Sequence, residues 1–214
     1  MIVTISREYG AAGLAVADGA AHALGYALLS DDLPKTVADR LGTSADTVAA
    51  IASADASLPE RLLAGFDMST ATAVTSVVPP STLEFDESVR REIEKTIRER
   101  AAAGNLVILG RNAAAVLGPR PDLVRVYLTA DREWRADRLV ASFAISRAAA
   151  YADMDRIDAA RRKITKERYR FTMGDARHYD LALDVSRFGI EGATALVVAA
   201  VRSAEDAADP PAES

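Results

Sequence analysis

The sequence contains no cysteine. That excludes a disulfide framework, cysteine-ligated zinc and thiol catalysis together. Its two histidines, His22 and His178, lie too far apart in sequence to suggest a metal pair, and no H-E-x-x-H or Ser-His-Asp arrangement accompanies them, so no metal site is expected. Positive charge is not in excess either: the formal net charge is −5. No global basic field is present to gather nucleic acid or anionic lipid, so a polyanionic ligand must be met by a local cluster of arginines and lysines. No apolar run is long enough to span a bilayer, and the opening Met-Ile-Val-Thr-Ile-Ser-Arg lacks a basic stretch followed by an apolar one. No membrane or nucleic-acid partner is expected, and a cytoplasmic location is.

What is present suits a compact domain. Half of the 214 residues are hydrophobic and 27% are charged, enough for one domain with a large core. The expected domain covers residues 1–203. The acidic, proline-containing residues 204–214 are expected to form a frayed tail.

Five short β-type segments stand out: Ile2–Ile5, Tyr26–Leu29, Leu106–Leu109, Val124–Leu128 and Leu181–Val185. Those from the second to the fourth are nearly all apolar, as in a sheet covered on both faces. Helical patterns lie between them. One runs from about Ala11 to Leu24 and stops at Gly25. Another starts at Asp86 or Ser88, buries Val89, Ile93 and Ile97, and stops at Gly104. Asp131 and Ser146 are candidate N-caps, the second for a charged helix reaching Arg170. A last helix follows Gly189. Alternating strand and helix predicts an α/β fold with a five-stranded parallel sheet flanked by helices. Residues 33–80 break that rhythm and are expected to form a mostly helical insertion.

Function in such sheets sits at the carboxyl ends of the strands. After Ile2–Ile5 comes Ser6-Arg7-Glu8-Tyr9-Gly10-Ala11-Ala12-Gly13, then a helix. Small residues here let backbone N–H groups approach an anion, and the helix N-terminus adds partial positive charge. Against the full phosphate-loop pattern G-x-x-x-x-G-K-[ST], Arg7 takes the first glycine, Ala12 the second, Gly13 the lysine and Leu14 the hydroxyl position. By itself the segment is a weak signal and reads first as a tight glycine turn joining strand to helix. A second basic feature lies near the C-terminus: Arg156, Arg161, Arg162, Lys163, Lys166, Arg168 and Arg170, against Asp158 and Glu167. Such a run serves either as a solvated face or as a set of bidentate phosphate ligands.

Several blocks together resemble the cytidylate kinase-like family. They are Ile5-Ser6-Arg7-Glu8-Tyr9-Gly10-x-x-Gly13, then Val107-Ile108-Leu109-Gly110-Arg111, then Val126-Tyr127-Leu128-Thr129-Ala130-Asp131. The distal blocks are Lys166-Glu167-Arg168, Gly174-Asp175, and Tyr179-Asp180-Leu181-x-Leu183-Asp184-x-Ser186-Arg187-x-Gly189-Ile190-Glu191-Gly192. They fall in order over nearly the whole chain to Val201. The resemblance implies a P-loop kinase fold with an acceptor-side insertion at 33–80 and an arginine-rich lid at 146–178. It implies ATP with Mg2+, and phosphoryl transfer to a nucleoside monophosphate, with CMP or dCMP favoured.

Under that resemblance the backbone of Gly10, Ala11, Ala12 and Gly13 holds the donor phosphates, with Arg7 a candidate substitute for a cation the loop lacks. Arg161, Lys166, Arg168 and Arg170 close over the transferring group. Arg111 holds the acceptor's phosphate; its other reading is an ion pair with Asp122 or Asp131. Lys35 is a candidate substrate cation. Asp180 and Asp184 either orient the lid arginines or a ribose, or cap and pair. The chain departs from its relatives at Leu14, where an arginine often follows the Gly-Gly, and at Leu29-Ser30-Asp31, where Tyr-Asp-Arg is usual. These departures leave open a nucleotide-binding regulatory module with little or no kinase activity. Residues 37–48 have helix-turn-helix spacing, but the second helix offers Asp46, Ala49, Ala50, Ser53 and Asp55 and no cation, so it would repel DNA.

Overall fold

The computed structural model describes residues 1–30, 32–53 and 80–208, which form two compact units. The first comprises residues 1–30 and those from 97 onward; the second lies within 31–96. The second unit thus takes in the described part of the insertion together with most of the long helix after it. Among the described residues no helix is long and apolar enough to cross a membrane.

The first unit is built on five parallel strands: β1 (Ile2–Arg7), β2 (Ala27–Leu29), β3 (Leu106–Leu109), β4 (Leu123–Thr129) and β5 (Leu181–Asp184). Their spatial order is β2-β3-β1-β4-β5. Val3 pairs with Val107 on one side and with Val124 on the other. All four residues of β3 are buried, and so are Ile2 through Ser6 of β1, the pattern of strands covered on both faces. One face packs Val3, Ile5, Val107 and Val126 against Val16, Ala17 and Ala20 of helix α1 (Gly13–Leu24) and Val197 and Val201 of the C-terminal helix. Because β2 and β3 lie to one side of β1 and β4 and β5 to the other, the chain order reverses at β1. Crevices at the carboxyl ends of such switch-point strands are where ligands bind in open α/β sheets.

The second unit carries α2 (Leu33–Leu41) and α3 (Ala45–Ser53), joined at Gly42 in a left-handed turn. Ser44 accepts a hydrogen bond from Thr47 N at 3.0 Å, capping α3. Helix α4 (Pro80–Ala102) runs out of this unit into the first. Within the second unit Arg40 reaches Glu92 at 2.9 Å and Thr96 at 3.3 Å. Residues 54–79 of the expected insertion and 209–214 of the expected tail lie outside the described residues.

The remaining helices among the described residues are α5 (Ala113–Leu117), α6 (Arg132–Phe143), α7 (Arg147–Tyr169) and α8 (Val185–Ala208), with a 3-10 turn at Ala176–His178. The predicted caps form: Asp131 accepts from Glu133 N and Trp134 N, and Ser146 from Ala149 N. Helix α7 ends at Arg170 in a left-handed conformation, φ 52°.

Several boundaries differ from expectation. Helix α1 begins at Gly13 rather than Ala11, because Ala12 takes a left-handed conformation. Helix α4 begins at Pro80, not at Asp86 or Ser88: proline's fixed φ suits a first helical turn, and Ser88 Oγ donates to Phe85 O at 2.7 Å inside the helix. The C-terminal helix begins before Gly189, at Val185, and Gly189 (φ 69°, ψ 171°) interrupts it. It also continues through Ala208, so residues 204–208 are helical rather than frayed.

Candidate functional site

Arg7 is the last residue of β1, and its side chain folds back across the start of α1. A Cβ built on Gly13 would lie 2.6 Å from Arg7 Cδ and 3.0 Å from Cγ. Position 13 therefore has no side chain where the arginine's stem runs. The guanidinium ends over Gly110, just beyond β3, where a Cβ would collide with Nη1. One long cation thus spans the two loops that flank the switch point. Ala12, the N-cap of α1, brings no side-chain acceptor, and no acidic residue occupies the first turn. The helix terminus keeps its positive end for a ligand.

The peptide of Tyr9 anchors the loop. Its N–H donates to Asp158 Oδ1 at 2.8 Å and its carbonyl accepts from Arg135 Nη1 at 3.2 Å. Arg135 Nη1 also donates to Asp158 Oδ2 at 2.8 Å, and both side chains are only 8% exposed, so this is a buried ion pair built around a backbone amide. Glu8 accepts from Thr129 Oγ1 at 2.5 Å and lies 3.8 Å from Arg135 Nε. Gly10, at φ 84°, rests on α6: a Cβ there would stand 3.1 Å from Arg135 Cβ and 3.2 Å from its carbonyl oxygen.

Asp158, Arg161 and Thr165 follow one another at spacings of three and four, which puts them on one face of α7. Arg161 Nη1 donates to the Arg7 carbonyl at 3.3 Å, and its guanidinium lies 5.9 Å from the centroid of the Tyr9 ring. The Thr165 hydroxyl lies 2.8 Å from Asn112 Oδ1. One helix face therefore ties the loop after β1 to the loop after β3. In that second loop Gly110, Arg111 and Asn112 all have positive φ, at 70°, 55° and 54°. Two consecutive non-glycine residues in this region store strain on the order of 1 kcal/mol each. The turn places half-buried Arg111 at the carboxyl end of β3.

The segment after α7 is held by rings. Tyr127 and Tyr179 lie 5.1 Å apart, and Phe171 packs edge-on to Tyr179 at 5.6 Å and stacks on His178 at 4.4 Å. Burial pushes both phenols above their ordinary range, and Glu8 and Asp158 push Tyr127 further. Gly174, at φ 84°, leaves room for the Tyr127 hydroxyl.

Of the candidate residues, the structure gathers Arg7, Gly10, Ala11, Ala12, Gly13 and Arg161 at the β1–α1 loop, and puts Arg111 beside them at the end of β3. Lys166, Arg168 and Arg170 are exposed on the last turns of α7, with Arg168 lying 5.8 Å from the Tyr169 ring centroid. Asp180 stands at the amino end of β5, opposite the loop, and its carboxylate accepts from Arg125 N, Nε and Nη2 at 2.8 to 3.1 Å. Asp184 accepts from Ser186 N at 2.9 Å and from the Ser186 hydroxyl, capping the start of α8. Lys35 is exposed on α2 in the second unit. Glu8, Arg135, Asp158, Asn112 and Thr165 were not foreseen. For the α7 residues the signal was the spacing itself, an acid and a hydroxyl sharing a face with Arg161.

The arrangement suits an anion of several charges: a helix N-terminus, Arg7 across it and Arg161 behind it. Among the described residues no cluster of three or more acidic or histidine side chains is placed to hold a metal. Leu14, at the hydroxyl position of the loop, is 48% exposed.

The chain is similar to several known proteins. The sequence profile of the cytidylate kinase-like family matches residues 2–187. A cytidylate kinase of Methanocaldococcus jannaschii is 33% identical over 121 residues, 55% of this chain and 67% of that protein. A cytidylate kinase of Pyrococcus horikoshii is 30% identical over 118 residues, 55% of this chain and 60% of that protein. Among solved structures, an uncharacterized protein from Eubacterium ventriosum superposes with a TM-score of 0.68 at 19% identity, covering 95% of this chain and 99% of the other. Shikimate kinase from Bacteroides thetaiotaomicron superposes with a TM-score of 0.53 at 12% identity, covering 94% and 98%. These two likenesses establish the P-loop kinase fold.

Proposed function

The chain belongs to the cytidylate kinase-like family, and from that premise we propose that it transfers the terminal phosphoryl group of ATP to a nucleoside monophosphate, CMP or dCMP being the favoured acceptors. The observation that carries the proposal is the β1–α1 loop. A glycine-bearing turn at the switch point opens onto a helix N-terminus with no side-chain cap, and Arg7 and Arg161 bracket it.

Gly10 to Gly13 offer backbone N–H groups to the donor phosphates, and the end of α1 supplies fixed positive potential. Arg111 grips the acceptor's phosphate from the end of β3. An oxygen of that phosphate attacks the terminal phosphorus; the new P–O bond forms as the bond to the leaving diphosphate breaks, giving ADP and a nucleoside diphosphate. Arg161, already at the loop, stabilises the charge spread over the transferring group, Arg168 extends the same face of α7 two turns on, and Lys166 and Arg170 add positive charge from the neighbouring face. ATP bound with Mg2+ supplies the phosphoryl group and the metal's charge neutralisation. Asp158 and Thr165 hold α7 to the two loops, so the cations arrive in register with both phosphates.

A coupled assay of ADP release across nucleoside monophosphates tests this. The expected result is turnover with CMP or dCMP, lowered on the order of 100-fold in kcat by Arg161→Ala. No turnover with any acceptor, in protein whose circular dichroism shows it folded, refutes it. If ATP nevertheless binds under those conditions, the regulatory-module reading takes its place. That alternative is favoured by Gly13 and Leu14, where a lysine and a hydroxyl usually stand.

A further inference from the structure

We infer that Arg7 is the phosphate-binding cation of the loop, entering from the strand side the space that a lysine at position 13 enters from the helix side. The inference rests on the phosphotransfer reading above and names the group that fills its missing part.

In the standard pattern the lysine is the first residue past the last glycine of the loop, and it reaches the terminal phosphates. Here Gly13 occupies that position. Its vacancy is not idle space. Arg7 Cδ, Cγ and Nε stand 2.6, 3.0 and 3.1 Å from where the residue-13 Cβ would be. A side chain at 13 and an arginine at 7 in this pose exclude one another. The guanidinium then arrives at Gly110, whose missing Cβ makes room for Nη1. That point lies between the carboxyl ends of β1 and β3, inside the switch-point crevice.

Two glycines at two different loops are thus explained by one side chain. Arg161 holds the root of that side chain through the Arg7 carbonyl. A guanidinium is a rigid donor fork with a permanent charge, and it binds two phosphate oxygens where an ammonium serves as a point charge. The ligand class is the polyphosphate end of a nucleoside di- or triphosphate.

The test is isothermal titration of the full chain with ATP, ADP and inorganic tripolyphosphate, with thermal melting as the folding control. Arg7→Met keeps an apolar stem against Gly13 and removes the charge; Arg7→Gln keeps polarity without charge. Each is expected to weaken all three ligands by at least tenfold in protein that thermal melting shows to be folded. The double variant Arg7→Gly with Gly13→Lys frees the space and supplies the cation from the helix side. It is expected to bind ATP at least fivefold more tightly than Arg7→Gly alone. Gly13→Lys alone forces the two side chains together, and is expected to bind more weakly than wild type.

Wild-type affinity in Arg7→Met or Arg7→Gln, or no gain from lysine in the double variant, overturns the assignment of Arg7 and leaves the phosphotransfer reading standing. If the wild type binds none of the three ligands, the phosphotransfer reading itself falls, and the role of Arg7 with it.

Discussion

Asp158 is a residue whose removal separates a structural anchor from a solvated surface charge. Its carboxylate accepts from Tyr9 N and from Arg135 Nη1, each at 2.8 Å. Both members of the ion pair are only 8% exposed. Alanine at 158 would leave the buried Tyr9 N–H without its acceptor and the Arg135 charge with Glu8 at 3.8 Å as its remaining counter-ion. Breaking a buried pair from one side costs about 3–5 kcal/mol, and the residual partner places this case at the lower end, about 3 kcal/mol. For a chain of this size that corresponds to a fall of about 6–12 °C in melting temperature. Asparagine at 158 keeps an acceptor for Tyr9 N and loses the charge, so its cost is expected to be smaller, about 1–2 kcal/mol. Removing both charges with Arg135→Leu and Asp158→Leu is expected to cost less than the sum of the two single changes, because no buried charge is then stranded. The surface pair Arg132–Asp155 is the control. Its bond is as short, 2.6 Å, but the partners are 48% and 64% exposed; Asp155→Ala is therefore expected to leave stability close to that of wild type. Thermal and urea unfolding followed by circular dichroism measure the wild type, the five single variants and the double one. If Asp158→Ala is no more costly than Asp155→Ala, burial is not what gives this pair its strength, and the anchor reasoning fails.

Gly10→Ala puts a Cβ 3.1 Å from Arg135 Cβ at a residue with φ 84°; a loss of about 1–2 kcal/mol is expected from conformational strain, more if the Arg135 backbone has to move. Equal stability of the alanine variant in urea unfolding would show that the loop is not seated on α6 as described. Tyr26 bonds Glu205 near the end of α8, and its phenol is raised to about 12, chiefly by burial and then by that carboxylate. A phenol raised in the folded state stabilises it below the unfolded value near 10 and loses that contribution as pH rises from 10 toward 12. Tyr127 and Tyr179 are raised as well, so wild-type stability is expected to fall across that window and Tyr26→Phe to fall less steeply. A Tyr26→Phe profile parallel to wild type would contradict the Tyr26–Glu205 link.

The sheet was legible because parallel strands buried on both faces leave an unambiguous mark. Leu106-Val107-Ile108-Leu109 was located to the residue, and the other four strands to within two residues at each end. Caps with side-chain acceptors were equally legible, as Asp131 and Ser146 show. What escaped were boundaries set by backbone conformation alone. Nothing in Ala11-Ala12 announces that Ala12 turns left-handed and delays α1 by two residues. Nor does Ser88 announce that its hydroxyl will bond back to Phe85 inside a helix already begun at Pro80. The strand order that makes β1 the switch point is a long-range fact, and alternating strand and helix alone does not determine it.

The site divides along the same line. Glycines and arginines are visible as residue types, so the loop and the basic helix could be named from spacing. Which arginines of that helix meet the loop is a question of phase. A helix turns 100° per residue, so Arg161, in register with Asp158 and Thr165, faces the sheet, while Arg162 and Lys163, one and two positions on, are exposed. In the charge count Asp158 is one of two acids in a basic run, yet its burial is what sets that phase: an ionised carboxylate is kept out of water only where partners wait for it, and here they are Arg135 and the Tyr9 amide. The acid fixes the rotation of α7, and the rotation selects the arginine. A sequence pattern of cations therefore acquires a meaning only through the anion placed three residues before the one that matters.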